Sequence, residues 1–162
     1  MPDSTSTPGA SVRQHRFASV SDADPIAAMA HDAVEPGMPW LWRRGRVTRA
    51  IRAFDTNVVV AERSGQLDGC GILTYFDAEA HLLLFTVRPA CRRQGAGSAL
   101  LRWLESIATA SGARRIRLEL QLGQVDELAF YIACGYCEEV IPRGMYEGPV
   151  KVVWLEKRLR EE

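Results

Sequence analysis

The stretch F-T-V-R-P-A-C-R-R-Q-G-A-G-S-A-L-L, residues 85–101, decides the fold of this chain. The apolar run from His81 to Val87 predicts a strand, and the apolar periodicity after Ser98 predicts a helix. A turn that opens directly into a helix leaves several backbone N–H groups unpaired at the positive end of the helix dipole. Such donors suit a phosphate group, so residues 92–98 are predicted to bind an anion.

Glycines and arginines in this turn reinforce the prediction. Gly95 and Gly97 remove side chains where backbone and anion must nearly touch, and they permit positive φ angles. Arg92 and Arg93 add fixed positive charge. The pattern is neither a Walker A loop, which needs Gly-Lys-Ser/Thr, nor a Rossmann fingerprint, whose third glycine is replaced by Leu100. An ordinary tight turn that carries arginines is the alternative interpretation.

Length and composition exclude several classes of protein. The 162 residues suffice for one domain, predicted over residues 12–160, after a Ser/Thr/Pro/Gly-rich tail at 1–11 that is predicted to be disordered. A net charge of zero argues against nucleic-acid binding, and no apolar run reaches the roughly 20 residues of a membrane helix. There is no signal-peptide pattern, and the four cysteines form no paired framework. We therefore expect a cytoplasmic protein that binds neither nucleic acid nor membrane.

The remaining pattern predicts an α/β fold with a mixed sheet. Capping residues and a proline at 21–25 predict a helix start, and Gly112 and Gly135 predict helix ends. A strand–helix–strand crossover flanked by hairpins places helices on both sides of the sheet. Because 80–87 is apolar after His81, both of its faces are expected to be covered. The predicted order is a strand within 12–20, two helices, strands at 57–62, 69–76 and 80–87, a helix at 98–110, a strand at 115–121, a helix at 126–133 and a strand at 150–155.

Two blocks of this sequence resemble the GNAT superfamily of acetyl-CoA-dependent N-acetyltransferases. The first is Val87-Arg88-Pro89 followed by Arg92-Arg93-Gln94-Gly95-Ala96-Gly97, similar to the family's Q/R-x-x-G-x-G/A signature after a V-x-P strand end. The second is Gln124, then Tyr131, then Gly135-Tyr136, at the family's spacing. The resemblance runs from about residue 12 to residue 159. It implies a mixed, mostly antiparallel central sheet of six to seven strands flanked by about four helices.

The resemblance also implies a co-substrate, acetyl-CoA, bound without a metal. The backbone of residues 85–87 would pair with the pantetheine arm, and the N–H groups of residues 93–98 would hold the pyrophosphate. Arg92 would lie beside the pyrophosphate, Gln124 would contact the arm, and Tyr131 would stand near the thioester sulfur. The implied cofactor-binding residues are therefore Phe85, Thr86, Val87, Arg92, Arg93, Gln94, Gly95, Ala96, Gly97, Ser98, Gln124 and Tyr131.

Acetylation of an amine by a thioester sets requirements for the catalytic residues. The amine, whose pKa in water is about 10, must lose a proton before it attacks, and the leaving thiolate benefits from gaining one. Tyr131 is the predicted proton donor, because a phenol stays neutral at pH 7. His81 is the predicted base, at a position where many family members carry glutamate, and Glu79 and Asp77 are its rivals. Water and backbone carbonyls, with no single essential base, are a further alternative.

The sequence leaves the acceptor open. An apolar pocket wall is predicted from Met38, Trp40, Trp42, Phe76 and Tyr146. Such a wall suits a small-molecule amine with an apolar group, or a peptide N-terminus, whereas Arg143 would suit the carboxylate of an amino acid. The alternatives to an enzyme are a non-catalytic acyl-CoA-binding or sensor domain of the same fold and a module for another phosphorylated ligand. Dimers are common in the family, so a homodimer is a further expectation.

Overall fold

A seven-stranded sheet runs through the part of the chain that the computed structural model describes, residues 12–139 and 152–160. In chain order its strands are β1 (Gln14–Phe17), β2 (Thr56–Arg63), β3 (Gln66–Phe76), β4 (Glu79–Val87), β5 (Arg115–Gln121), β6 (Cys137–Glu138) and β7 (Val152–Arg158). They lie in the sheet in the order β1-β2-β3-β4-β5-β7-β6, and every neighbouring pair is antiparallel except β4 and β5.

Four α-helices flank this sheet in the described residues. They are α1 (Ala23–Asp32), α2 (Arg44–Arg52), α3 (Ala96–Ala110) and α4 (Val125–Ala133). Single turns of 3-10 helix at Val20–Asp22 and Pro89–Cys91 lead towards α1 and α3. The predicted mixed, mostly antiparallel sheet with about four helices is therefore confirmed, including the parallel β4–α3–β5 crossover.

The structure departs from the predicted elements at both ends of the chain. The first strand is shorter than 12–20, because the backbone N–H of Ser19 donates to Asp22 Oδ2 at 2.8 Å and the chain turns there into α1. The two-residue strand β6 was not predicted, since so short a segment has no periodicity to detect. The predicted tail at 1–11, residues 150–151 of the predicted last strand, Arg143 and Tyr146 lie outside the described residues.

Glycines on β3 let α3 lie close against the sheet. A Cβ atom on Gly71 would come within 2.5 Å of Leu104 Cδ1, and one on Gly69 within 2.9 Å of the Thr86 carbonyl oxygen. Leu100 and Leu104 of α3 fill that space and are fully buried. The sheet therefore has one core beneath α3, and a second core on its other face around Ile26 of α1.

A β-bulge in β4 exchanges the faces to which its side chains point. Leu73 pairs with Leu82 and Ile72 pairs with Leu84, so Leu83 is an extra residue without a partner on β3. Leu82 consequently joins the core beneath α3, whereas Leu84 packs against the core beneath α1. The prediction that both faces of β4 are covered is wrong at Leu83, which is 45% exposed because the bulge turns it out of both cores.

The parallel strands β4 and β5 separate directly before this bulge. They pair only at Glu79 with Arg115, Ala80 with Ile116 and His81 with Arg117, although β4 continues to Val87 and β5 to Gln121. The facing edges of the two strands beyond this point are not joined by a described strand. The sheet therefore opens into a wedge.

Candidate active site

A cavity of about 300 Å³ occupies the wedge between β4 and β5. Part of its wall comes from the two separated strands and the start of α4. The rest comes from the end of α1 and the segment that follows it. The lining residues are Ala30, Ala33, Val34, Glu35, Met38, Pro39, Trp40, Leu41, Trp42, Leu82, Leu83, Leu84, Phe85, Leu118, Glu119, Leu120, Gln121, Gln124 and Tyr131.

The turn that follows β4 presents unpaired backbone donors, as its sequence predicted. Gly95 precedes the first residue of α3 with φ 79° and ψ 0°, and Arg93 also has a positive φ of 61°. The Gly95 carbonyl accepts the N–H of Ala99 at 3.0 Å. Within the described residues, none of the backbone N–H groups from 93 to 98 forms a hydrogen bond of normal length and angle. These donors lie at the positive end of α3, where an anion is stabilised.

Buried Asp68 holds the entrance to this turn in place. Its Oδ1 accepts Arg88 Nη2 at 2.8 Å and its Oδ2 accepts Arg13 Nε at 2.9 Å. The backbone N–H of Arg88 also donates to the Asp68 carbonyl at 2.8 Å. Burial by itself would raise the pKa of this carboxyl, but the hydrogen bonds from Arg88 and Arg13 outweigh it and hold the pKa below its usual value. The ion pairs and the backbone hydrogen bond of Asp68 thus fix the end of β4 at Val87.

Side chains around the turn engage its own backbone. Arg92 Nε donates to the Val87 carbonyl at 3.2 Å, and Gln94 Nε2 donates to the Ala90 carbonyl at 3.3 Å. A Cβ atom on Gly97 would lie 3.4 Å from the ring of Phe130, so this glycine lets α3 approach α4. The free N–H groups and the exposed Arg92 and Arg93 therefore lie on a turn whose internal contacts fix its shape.

Tyr131 reaches the cavity from the buried face of α4. Tyr131 is 6% exposed. The centroid of its ring lies 6.0 Å from the ring centroid of Phe85 and 5.2 Å from that of Phe130. Burial raises the pKa of its phenol, with smaller contributions from Cys134 and Glu127. The hydroxyl has no hydrogen-bond partner among the described side chains and backbone groups. Tyr131 is therefore a neutral phenol at pH 7.

The helix that carries Tyr131 is tied to α3 and β7 by Lys157. Its Nζ donates to Glu105 Oε1 at 2.9 Å and to the Cys134 carbonyl, at the end of α4, at 2.8 Å. The Tyr136 hydroxyl also donates to Glu105, at 3.4 Å. At the other end of α4, the Gln124 carbonyl accepts the Leu128 N–H at 3.0 Å, and Gln124 lines the cavity. The C-terminal end of the helix is thus tied to α3 and β7.

His81 lies at the closed end of the wedge and does not line the cavity. Its Nε2 is 3.3 Å from Glu79 Oε2, and Glu79 itself pairs with Arg115. Partial burial opposes ionisation of Glu79, but the hydrogen bond from Arg115 prevails and lowers its pKa. Phe76, predicted as pocket wall, pairs with Glu79 at the same closed end and is 70% exposed. The structure therefore does not bring Phe76 to the cavity that Tyr131 lines.

Two carboxylates in the cavity wall were missed by the sequence prediction. Glu119 is on β5 beyond the last pair with β4, and Glu35 follows α1. The signal for Glu119 was its place in β5, where polar residues alternate with Ile116, Leu118 and Leu120. This alternation alone does not place Glu119 in a cavity, because the separation of β4 from β5 must also be known. Neither carboxylate forms an ion pair with a described residue.

The predicted aromatic wall is present in part. Met38, Trp40 and Trp42 line the cavity, as expected. Arg43 stacks on the ring of Trp40 at 4.7 Å and Arg46 on the ring of Trp42 at 4.1 Å, so these arginines hold the tryptophans.

Comparison with known proteins identifies the family. The model of the acetyltransferase (GNAT) family matches residues 27–136, and the chain belongs to this family. No curated protein sequence matches the chain. The structure is similar to the ribosomal-protein-S18-alanine N-acetyltransferase from Escherichia coli, with 19% identity and a TM-score of 0.76 over 91% of this chain and 94% of that one.

Two proteins from Thermoplasma species have similar folds. Ard1 from Thermoplasma volcanium is 20% identical with a TM-score of 0.77, covering 92% of this chain and 99% of its own. PaiA N-acetyltransferase from Thermoplasma acidophilum, solved in complex with coenzyme A, is 18% identical with a TM-score of 0.77, covering 91% and 99%. At these identities the likeness shows the fold.

The described residues contain neither a membrane-spanning helix nor a cluster of metal ligands. None of the helices in the described residues is long and apolar enough to cross a membrane. The same residues contain no group of three or more His, Cys, Asp or Glu side chains placed to hold a metal ion.

The anchoring role of Asp68 predicts a pH-dependent loss of stability. Asp68→Asn should lower the free energy of unfolding at pH 7 by about 1.5–3 kcal/mol, because buried hydrogen bonds between charged groups are lost. The folded-state pKa of Asp68 is depressed, so its contribution is present above the unfolded value of about 3.9 and is lost as the pH falls through the folded value. The difference from wild type should therefore shrink as the pH is lowered below about 4, as measured by urea unfolding.

Asp24→Asn is the matched control for this measurement. Its carboxylate lies 3.5 Å from Arg44, but both side chains are exposed, so the free energy of unfolding should change by less than about 0.5 kcal/mol. Equal effects of the two substitutions at pH 7 would contradict the anchoring role.

Proposed function

We propose that this protein is an N-acetyltransferase that moves the acetyl group of acetyl-CoA to a primary amine of a small molecule or peptide, by direct attack in a ternary complex. The observation that carries this proposal is the continuity of β4. One end of its unpaired edge lines a cavity with Tyr131, and the other end leads into the turn with free N–H groups at 93–98. A ligand with an extended arm that ends in a diphosphate matches the order of cavity, strand edge and turn.

The residues present fit acetyl-CoA. The backbone N–H groups of residues 93–98 would hold the pyrophosphate, with Arg92 beside them, and the edge of β4 at residues 85–87 would pair with the amides of the pantetheine arm. The space where a Cβ of Gly95 would stand has no heavy atom within 4 Å, so an anion can approach the backbone there. Gln124, which lines the cavity, would contact the same arm.

Tyr131 is proposed as the proton donor. Acetyl-CoA, when bound, supplies the acetyl group as an activated thioester. A neutral phenol is the form that can give up a proton to a leaving thiolate, and burial raises the pKa of Tyr131 so that it stays in this form at neutral pH. The ring contacts with Phe85 and Phe130 orient the hydroxyl. Afterwards the proton taken from the amine can restore the phenol.

Glu119 is the base that the cavity favours. It lines the same cavity as Tyr131 and has no ion-pair partner among the described residues, so its carboxylate can accept the proton of an ammonium directly or through water. His81, the base predicted from the sequence, is engaged with Glu79 at the closed end of the wedge. It would have to act from outside the described cavity lining.

Acetyl-CoA binding should depend on Gly95. Gly95→Val is expected to weaken binding at least about tenfold in isothermal titration, because a branched side chain would fill the space above the free N–H groups and disfavour their positive-φ backbone. Gly112→Val is the control, since Gly112 has a φ of 92° and open space at the other end of α3. An equal loss of affinity in both variants would count against the turn as the binding site.

Turnover should depend on the hydroxyl of Tyr131. Tyr131→Phe is expected to lower kcat by about 10²–10⁴ while the Kd of acetyl-CoA stays unchanged, because only the proton donor is removed. Tyr75→Phe is the matched control: its hydroxyl accepts a hydrogen bond from Asn57 Nδ2 at 2.7 Å and Tyr75 does not line the cavity, so kcat should stay near the wild-type value. Tight acetyl-CoA binding without any acetyl transfer by the wild type would instead favour a sensor domain.

The choice of base predicts a difference between two substitutions. Glu119→Gln should lower kcat/KM by about 10²-fold or more at pH 7, whereas His81→Gln should have a much smaller effect. The deficit of Glu119→Gln should shrink as the pH approaches the amine pKa of about 10, since more acceptor is then neutral without help. Rates measured by thiol release between pH 7 and pH 10 would show this. A larger deficit for His81→Gln would assign the base to the histidine.

A further inference from the structure

We infer that the acceptor is a cationic amine on an apolar body, with no carboxylate next to the amino group. This inference rests on the proposed function, and it narrows the acceptor classes that the sequence left open. It is carried by three features of the cavity wall: its charge, its exposed apolar side chains, and the way its neighbouring arginines are held.

The charge of the described cavity wall is negative. Glu35 and Glu119 line it, and none of the lining residues is Lys, Arg or His. Acidic side chains on the neighbouring strands, such as Glu62, Asp68 and Glu156, have arginine partners. Glu35 and Glu119 have no ion-pair partner among the described residues. They are therefore free to attract an ammonium group and to repel a carboxylate.

The arginines closest in sequence to the aromatic wall do not reverse this charge. Arg43 and Arg46 stack on the rings of Trp40 and Trp42, and neither of them lines the cavity. A carboxylate on the acceptor would therefore enter a space with acidic groups and without a basic partner in the described wall. Like charges repel each other, so the wall disfavours a free amino acid.

The apolar part of the wall is exposed and available to a ligand. Leu83 is 45% exposed, Leu41 58% and Met38 36%, and all three line the cavity together with Trp40 and Trp42. An acceptor with an alkyl or aryl group would cover these side chains and gain the free energy of removing them from water. A small polar amine would leave these apolar side chains exposed to water.

A series of three acceptors tests the inference. The first two are 2-phenylethylamine and L-phenylalanine, which share the amine and the aromatic body but differ in the carboxylate. The third is a C-terminally amidated peptide that begins with phenylalanine, which separates a peptide source of the same chemistry from a small molecule. We expect the kcat/KM of at least one of the carboxylate-free acceptors to exceed that of phenylalanine by about tenfold or more.

Glu35→Gln isolates the electrostatic part of this preference. The variant should reduce the ratio of kcat/KM for the preferred acceptor to that for phenylalanine by about threefold or more, and added salt should reduce the wild-type ratio in the same direction. Glu138→Gln is the matched control, because Glu138 is an exposed acid on β6 that does not line the cavity. That variant should keep the wild-type ratio.

The outcomes separate this inference from the proposed function. Equal or better turnover of phenylalanine, an unchanged ratio in Glu35→Gln, or acetylation of none of the three acceptors by a protein that binds acetyl-CoA would overturn the inference. Absence of acetyl-CoA binding in isothermal titration would count against the proposed function itself, before any acceptor is compared.

Discussion

The separation of β4 from β5 is the constraint on which the rest of the molecule depends. Parallel strands normally pair along their shared length, and here the pairing stops after His81 and Arg117. The bulge at Leu83 follows at once and changes the faces to which β4 directs its side chains. The core contacts on both faces of β4 are retained, so the sheet stays intact while its middle opens. The cavity and the free strand edge both follow from this opening.

An opening in a sheet needs support on both sides, and charged groups supply much of it. At the closed end, Arg115 joins Glu79 on β4 to Glu156 on β7, so the strands are clamped where they still pair. At the open end, Asp68 binds Arg88 and fixes the point where β4 turns towards α3. Charge therefore holds the ends of the opening, while its walls are mostly apolar. The turn at 92–98 and the cavity keep a set distance because both are attached to β4.

The sequence predicted the elements better than it predicted the geometry between them. Hairpins, the crossover and the glycine turn have local signals, namely periodicity, turn residues and helix starts. The family motifs pointed to Tyr131 and Gln124, and both residues line the cavity. The bulge at Leu83 has no such signal, because an extra leucine in an apolar run looks like one more core residue. Without the bulge and the separation, Glu119 looked like a surface residue of a strand. The prediction that Phe76 lines the pocket was wrong because the sequence does not show how β3 pairs with β4. That pairing places Phe76 beside Glu79, at the closed end of the wedge.

The free edge of β4 has a consequence for how this protein avoids misassembly. A strand edge is a good template for an extended ligand, but on the perimeter of a sheet it also recruits strands from other molecules. Here the template is interior, with β5 standing opposite and the rest of the sheet on either side. A narrow, flexible ligand can enter the gap between β4 and β5. A polypeptide strand with its side chains has far less room there. The fold thus keeps an unpaired strand edge that can form hydrogen bonds, and it restricts access to that edge to narrow ligands.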